Sequence, residues 1–171
     1  MLRAVLLALS ALLWLPAAAV AQDLQSLLQT YRAEIEKPAR KSVVEVLDAL
    51  VASGLPGVPL FLERWQDKGV YLRASDGLFY YAAPEGEGYA LSAIGDGTPA
   101  GTAAASDLTE LRPNGGVRKE ISGALVEFQL SDPDISRRQA AIDAIARSGS
   151  ADQLEPLRAS IPREPDPVLR A

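Results

Sequence analysis

The chain has 171 residues, 17 basic against 22 acidic, and neither cysteine nor histidine. Lacking both residues, it has no imidazole base for a Ser or Cys triad, no thiolate or imidazole to ligate zinc, copper or non-haem iron, and no disulfide to add to packing. A net acidic chain without a Lys/Arg cluster lacks the concentrated positive face that nucleic acid or an anionic lipid surface demands.

The first residues carry one charge at Arg3, an apolar run from Ala4 to Leu15, a break at Pro16 and small residues at Ala19 and Ala21. This order predicts a secretory signal peptide over 1–21, cut before Gln22, and hence an exported, periplasmic protein. The alternative is an uncleaved anchor, but the run is shorter than the ~20 residues that span a bilayer. No second such run follows. The 171 residues less these 21 leave 150, enough for one compact domain and part of another. Since Arg3 is the only leader charge, 16 basic residues then face 22 acidic ones.

Residues 23–53 read as two helices. Leu24, Leu27, Leu28, Tyr31 and Ile35 recur at spacings of three and four, and Pro38 interrupts. Val43, Val44, Val46, Leu47, Leu50 and Val51 form a second stripe that ends at Gly54, a C-cap. Leu60, Phe61, Leu62 and Trp65 then suggest a short amphipathic helix.

From Lys68 onward, aromatic and β-branched residues alternate with Ser-Asp-Gly, Glu-Gly-Glu-Gly and Gly-Asp-Gly. That pattern predicts short strands joined by tight turns, here a three-stranded antiparallel meander over 70–73, 78–82 and 89–94. The small, Gly- and Ala-rich stretch 98–106 reads as a loop.

Helical patterning returns after Asn114, an N-cap residue, with Ile121, Leu125, Phe128 and Leu130 as its stripe. Ser131-Asp132-Pro133 is a stop and restart signal. The next helix holds Ala140, Ala141, Ile142, Ala144, Ile145 and Ala146 and closes at Gly149, and a shorter one over 152–159 carries Leu154 and Leu157. Pro133-Asp134 with Arg138 then aligns, at one constant offset, with Pro165-Asp166 and Arg170. A period of this size, roughly 30 residues, marks helical solenoids, whose units need stacked neighbours. The pattern predicts that the chain stops inside the first turn of a further repeat, as the front part of something longer, with 162–171 frayed.

Each candidate site competes with a plainer reading. Gly95-Asp96-Gly97 with Gly101 has the wrong spacing for a nucleotide loop and reads as a turn. Glu85 and Glu87 flank Gly86, and Asp132 and Asp134 flank Pro133. Neither pair supplies the alternating oxygens of a calcium loop, and both read as turn and cap residues. Lys41 and Ser42 point about 100° apart on a helix and make no dyad by themselves. Arg137 and Arg138 are expected to pair within the chain, with Asp132 or Asp134. Trp65, Tyr71, Phe79, Tyr80, Tyr81 and Tyr89 are read as core rather than as a ligand surface. No residue is assigned as catalytic, cofactor-binding or metal-binding, and no cofactor is expected.

Residues 67–171 resemble the N-terminal extracytoplasmic region of bacterial urea ABC transporter permeases of the branched-chain amino acid type. The resemblance is carried by Gly-Val-Tyr-Leu and the Asp-Gly turn within 69–77, and by Asn114 with 117–121 and Ala124-Leu125. It continues through 130–134, Arg137-Arg138, Ala140-Ala141 and the Pro-Asp-Pro-Val-Leu-Arg run of 165–170. In that family a multi-helix permease follows and moves urea with cytoplasmic ATPases and a periplasmic binding protein. No pore lies in these residues, so no site residue carries over, and membrane contact would come only through such a permease or an uncleaved leader.

Together these readings give an α+β fold, mainly helical, with a small antiparallel meander in the middle and a HEAT-like helical repeat at the C-terminal end. The division is 1–21 signal peptide, 22–113 helices plus meander, and 114–171 helical segment. The expected role is non-enzymatic protein contact with ABC importer components, the permease and the substrate-binding protein, in urea transport. The alternative is a free-standing periplasmic HEAT-like scaffold unrelated to urea.

Overall fold

The computed structural model describes residues 23–149 and 151–170, so the leader reading over 1–21 and the cut before Gln22 lie outside the described residues. Four helices lead: α1 (Leu24–Thr30), α2 (Arg32–Glu36), α3 (Arg40–Ser53) and α4 (Val58–Gln66). Asp23 opens α1 by accepting a hydrogen bond from the Ser26 N–H at 2.6 Å. Gly54 closes α3 in the left-handed conformation at φ +61°. In α3 the buried stripe is Val43, Val46, Leu47 and Leu50, spaced by three and four, while Val44 of the predicted stripe faces out. In α4, Val58, Phe61, Leu62 and Trp65 are fully buried, each contributing about 1.5–3 kcal/mol of burial. The Phe61 and Trp65 rings pack at a centroid distance of 5.5 Å.

The sheet has five strands where three were expected: β1 (Val70–Arg73), β2 (Phe79–Glu85), β3 (Gly88–Ala93), β4 (Pro99–Ala104) and β5 (Leu108–Glu110), in the order β4-β3-β2-β1-β5. All neighbours are antiparallel. The stretch 98–106, expected as a loop for its Gly and Ala, instead forms β4 with a short 3-10 turn (Ala105–Asp107) that carries the chain back to β5. Ladder hydrogen bonds to β3 outweigh its poor β-propensity, and an edge strand of small residues needs no packed face. Alternation splits the side chains. Val70, Leu72, Phe79, Tyr81, Ile94 and Leu111 join the helices in the main core.

Two hairpins, turning at Gly77 and Gly97, share one turn chemistry. After β1, Arg73 N–H donates to Leu78 O (2.9 Å), Gly77 N–H donates to Arg73 O (2.9 Å), and the Asp76 carboxylate accepts from Leu78 N–H (3.1 Å). After β3, Ala93, Gly97, Thr98 and Asp96 repeat these bonds at 2.8, 3.0 and 3.0 Å. Gly77 and Gly97 take φ of +70° and +73°, where glycine alone is unstrained. Between the hairpins, Gly86 at φ +58° begins a two-residue connection that pairs Glu85 with Gly88.

Helix α5 (Gly115–Leu130) starts at Asn114, whose side chain accepts from Val117 N–H at 3.0 Å. It belongs to both parts of the chain. Val117, Ile121 and Ala124 enter the main core, whereas Val126 and Leu130 pack with Ala141 and Ile145 of α6 (Ile135–Ser148) in a second cluster that Leu157 of α7 (Ala151–Ser160) adjoins. The two clusters thus meet along α5. Arg40 ties α3 to α5 through Glu120 at 2.8 Å. Among the described residues no helix is long and apolar enough to cross a membrane.

Candidate functional site

Two polar clusters stand out, one on the outer sheet face and one at the start of α6. On the sheet, Tyr71, Arg73, Tyr80 and Tyr89 share the face away from the helices, as the register Tyr71 to Tyr80 to Ala93 and Pro84 to Tyr89 requires. This corrects the expectation that all six aromatic side chains are core. Trp65, Phe79 and Tyr81 join the main core and Tyr80 is buried outside that cluster, while Tyr71 and Tyr89 are half-buried. The Tyr71 and Tyr89 rings lie 5.4 Å apart, and buried Leu91 occupies the same face. The Arg73 guanidinium sits 4.3 Å from the Tyr80 ring centre, donates to the Tyr80 hydroxyl (2.6 Å) and pairs with Asp76, to which the same hydroxyl donates (2.8 Å).

The electrostatics follow from these contacts. Arg73 holds the Asp76 carboxyl well below the usual carboxylate range, helped by the Leu78 N–H and the Tyr80 hydroxyl. Burial, then the Asp76 carboxylate, pushes the Tyr80 phenol up. Burial and the Glu110 charge raise Tyr71. A carboxylate so stabilised is a poor proton acceptor at neutral pH, and a phenol so raised is a poor acid. The cluster fixes the β1–β2 turn. Ser75 is held likewise, its N–H and hydroxyl donating to Asp107 at 2.9 and 2.7 Å.

At α6, Asp132 accepts from the Asp134 N–H (2.8 Å), and Asp134 caps the helix by accepting from the Ser136 N–H (2.8 Å). Arg137 reaches Asp132 at 3.4 Å, as expected. Arg138 does not pair with either aspartate side chain. It donates to the carbonyls of Asp132 (2.8 Å) and Pro133 (3.3 Å), and through Nε and Nη2 to both carboxylate oxygens of Glu164, each at 2.9 Å. Arg138 and Glu164 are the two buried charged residues among those described. The guanidinium holds the Glu164 carboxyl below its ordinary value, and the Asp166 N–H adds to this by donating to Glu164 at 2.8 Å.

Asp166 in turn accepts from Val168 N–H (2.8 Å) and Leu169 N–H (3.2 Å), and Arg170 N–H donates to Asp166 O (3.2 Å). The turn at Asp134 thus recurs at Asp166, with Glu164 in the place of Asp132. Within 162–171, the stretch expected to be frayed, these bonds close a helical turn over 166–170.

Asp96 accepts from the Thr98 N–H and hydroxyl within its turn, and Gly101 lies in β4 at φ +89°. Glu85 and Glu87 are exposed on either side of Gly86. Lys41 and Ser42 are exposed on α3, and the Ser42 hydroxyl donates to Ala39 O at 3.2 Å. Glu164 is the polar residue that sequence reasoning missed. Its signal was the period itself, which aligns it with Asp132. Among the described residues no three acidic side chains gather to hold a metal ion. No family model matches this chain, and neither does any curated protein or solved structure.

Proposed function

We propose that this chain is a non-catalytic extracytoplasmic module of a urea-type ABC importer permease, exported to the periplasmic side, whose work is contact with other importer components. One observation carries the reading. The turn chemistry at Asp132–Arg138 recurs at Glu164–Arg170, in stretches that overlap the residues on which the resemblance to the urea permease family rests. A turn that recurs at a constant offset fits a HEAT-like stack, and such stacks present extended surfaces for binding. The conspicuous polar side chains support a contact role as well, since Arg73, Asp76, Asp132, Arg138 and Glu164 each hold a turn.

The test is to tag the chain in its own host, detergent-solubilise the membranes and ask whether the urea importer's permease, ATPases or binding protein co-purify, with urea uptake measured in a deletion strain. Co-purification with reduced uptake is expected. Unchanged uptake without any importer component would move the reading to a free-standing periplasmic scaffold.

A further inference from the structure

Three dipeptides in the chain, Asp76-Gly77, Asp96-Gly97 and Asn114-Gly115, set a side-chain carbonyl carbon beside the amide of a following glycine. Attack by that glycine nitrogen on Cγ closes a five-membered succinimide, and the missing Cβ of glycine leaves the approach unhindered. The fold treats the three differently. Gly77 N–H is tied to Arg73 O at 2.9 Å and Gly97 N–H to Ala93 O at 3.0 Å. Gly115 N–H stands at the first position of α5, where a helix offers no acceptor, and it has no hydrogen-bond partner among the described residues. Asn114 is the one asparagine of the chain, and both it and Gly115 are exposed. Its carboxamide folds forward over the first turn of the helix. Oδ1 accepts from Val117 N–H at 3.0 Å and would lie 3.3 Å from a Cβ added at Gly116, while a Cβ at Gly115 would meet nothing within 4 Å. An amide also carries a neutral nitrogen that can leave as ammonia, for which an ionised aspartate has no counterpart.

We propose that Asn114 is a self-modification site that deamidates in the folded protein, with water as the only co-reactant. Gly115 N yields its proton to solvent hydroxide and bonds to Asn114 Cγ, and Val117 N–H steadies Oδ1 as that oxygen gains charge. The Cγ–Nδ2 bond then breaks, and Nδ2 takes a proton from water and departs as ammonia, which regenerates the hydroxide. Water next opens the ring at one of its two carbonyls. Opening at Cγ leaves an ordinary aspartate, which keeps an acceptor at the cap and adds a negative charge where the start of a helix favours one. Opening at the backbone carbonyl leaves isoaspartate, whose main chain runs through the side chain and is longer by a carbon. That product pulls the cap away from Val117, a fully buried member of the main core, at the start of the helix on which both hydrophobic clusters meet.

The test holds the purified, folded chain for several weeks in mildly alkaline buffer made with heavy-oxygen water, then maps its peptides by mass spectrometry and its isoaspartate by enzymatic methyl transfer. Label is expected at position 114 ahead of 76 and 96, faster at higher pH because the glycine amide reacts as its anion. Gly115→Ala, whose methyl enters open space, should slow the labelling roughly tenfold or more while leaving the fold intact. Asn114→Asp should melt no lower than the parent at neutral pH, and aged protein rich in isoaspartate should melt lower than that variant. An Asn114 that keeps its amide in the folded chain and loses it only in urea overturns the proposal. So does labelling at 76 or 96 that outruns 114, or a rate that Gly115→Ala leaves unchanged.

Discussion

Arg138 holds both carboxylate oxygens of Glu164, far ahead of it in the chain, in the one two-point ion pair that the fold buries among the described residues. The pair joins the lead-in turn of α6 to the turn that follows α7. Because Glu164 also accepts the Asp166 N–H, the contact orders the helical turn at 166–170 as well as bridging two segments.

Truncating Arg138 should therefore act at a distance. Arg138→Met leaves a buried carboxylate without its cation and frees the carbonyls of Asp132 and Pro133, so the melting temperature should fall by roughly 5 °C or more. Amide exchange at Val168, Leu169 and Arg170 should accelerate. Adding Glu164→Gln to that variant should recover part of the loss, since the amide oxygen still accepts from Asp166 N–H and no charge stays buried. A double variant that melts no higher than Arg138→Met alone would show that the carbonyl contacts, not the ion pair, carry the effect.

The twin hairpin turns give a matched comparison. Gly97→Ala meets open space at the new methyl, so its cost is backbone strain alone, about 1 kcal/mol. Gly77→Ala has the same strain, and its methyl would also lie 2.8 Å from Arg32 Nη1, displacing a side chain that donates to Gly77 O. Gly77→Ala should be the more destabilising in urea, and Gly97→Asn should cost less than Gly97→Ala because asparagine tolerates this conformation. Equal midpoints for the two alanine variants would mean that Arg32 moves freely.

Strand β4 and Glu164 mark the limits of what the sequence discloses. The helical stripes were legible because Val43, Val46, Leu47 and Leu50, or Phe61, Leu62 and Trp65, keep the spacing of one buried helix face. Strand β4 was not, because Pro99–Ala104 has no apolar alternation. Its strand character comes from hydrogen bonding to β3, which composition does not encode. The repeated Asp-Gly turn pointed to it all the same, since a second turn like that at Asp76-Gly77 implies a second returning strand. Arg138 stands out through its place after Asp132-Pro133-Asp134, but its partner Glu164 lies beyond α7 and is chosen by tertiary packing. Local spacing favoured the aspartates, which accept from the Asp134 and Ser136 N–H groups and, at Asp132, from Arg137. The split of the tyrosines is written in the alternation of Tyr80 and Tyr81, and is lost when one aromatic run is read as one face.

Tyr81 and Tyr80 should separate under the same substitution. The Tyr81 hydroxyl donates to Ile94 O at 2.8 Å inside the core, so Tyr81→Phe leaves a buried carbonyl without its partner and should cost about 1–2 kcal/mol. Tyr80→Phe breaks contacts with Arg73 and Asp76, which keep each other, and should cost less. Burial pushes the Tyr81 phenol well above its ordinary 10. A raised phenol contributes stability that is complete below pH 10 and lost as pH rises through the folded-state value. Absorbance titration should show Tyr81 ionising only as the fold opens, and a Tyr81 that titrates near pH 10 with the fold intact would contradict its burial.

Acid should loosen the turn at 164–170 through Glu164. Its folded-state pKa lies below the ordinary 4.5, first because Arg138 donates to it and then because Asp166 N–H does. A depressed carboxyl contributes stability that is fully present above about pH 4.5 and lost as pH falls through the folded value. Asp76, held down chiefly by Arg73, and Asp23, held down by the Ser26 N–H, act in the same direction below their ordinary 3.8. The melting temperature contributed by these groups should be flat from pH 7 to 5 and decline below 4.5. Glu164→Gln should melt lower than the parent at pH 7, and the gap should narrow steadily toward pH 2 as the parent's carboxyl takes up its proton. Curves that stay parallel across that range would show that the charge of Glu164 adds nothing, and that its hydrogen bonds to Arg138 and Asp166 hold the turn whether or not it is ionised.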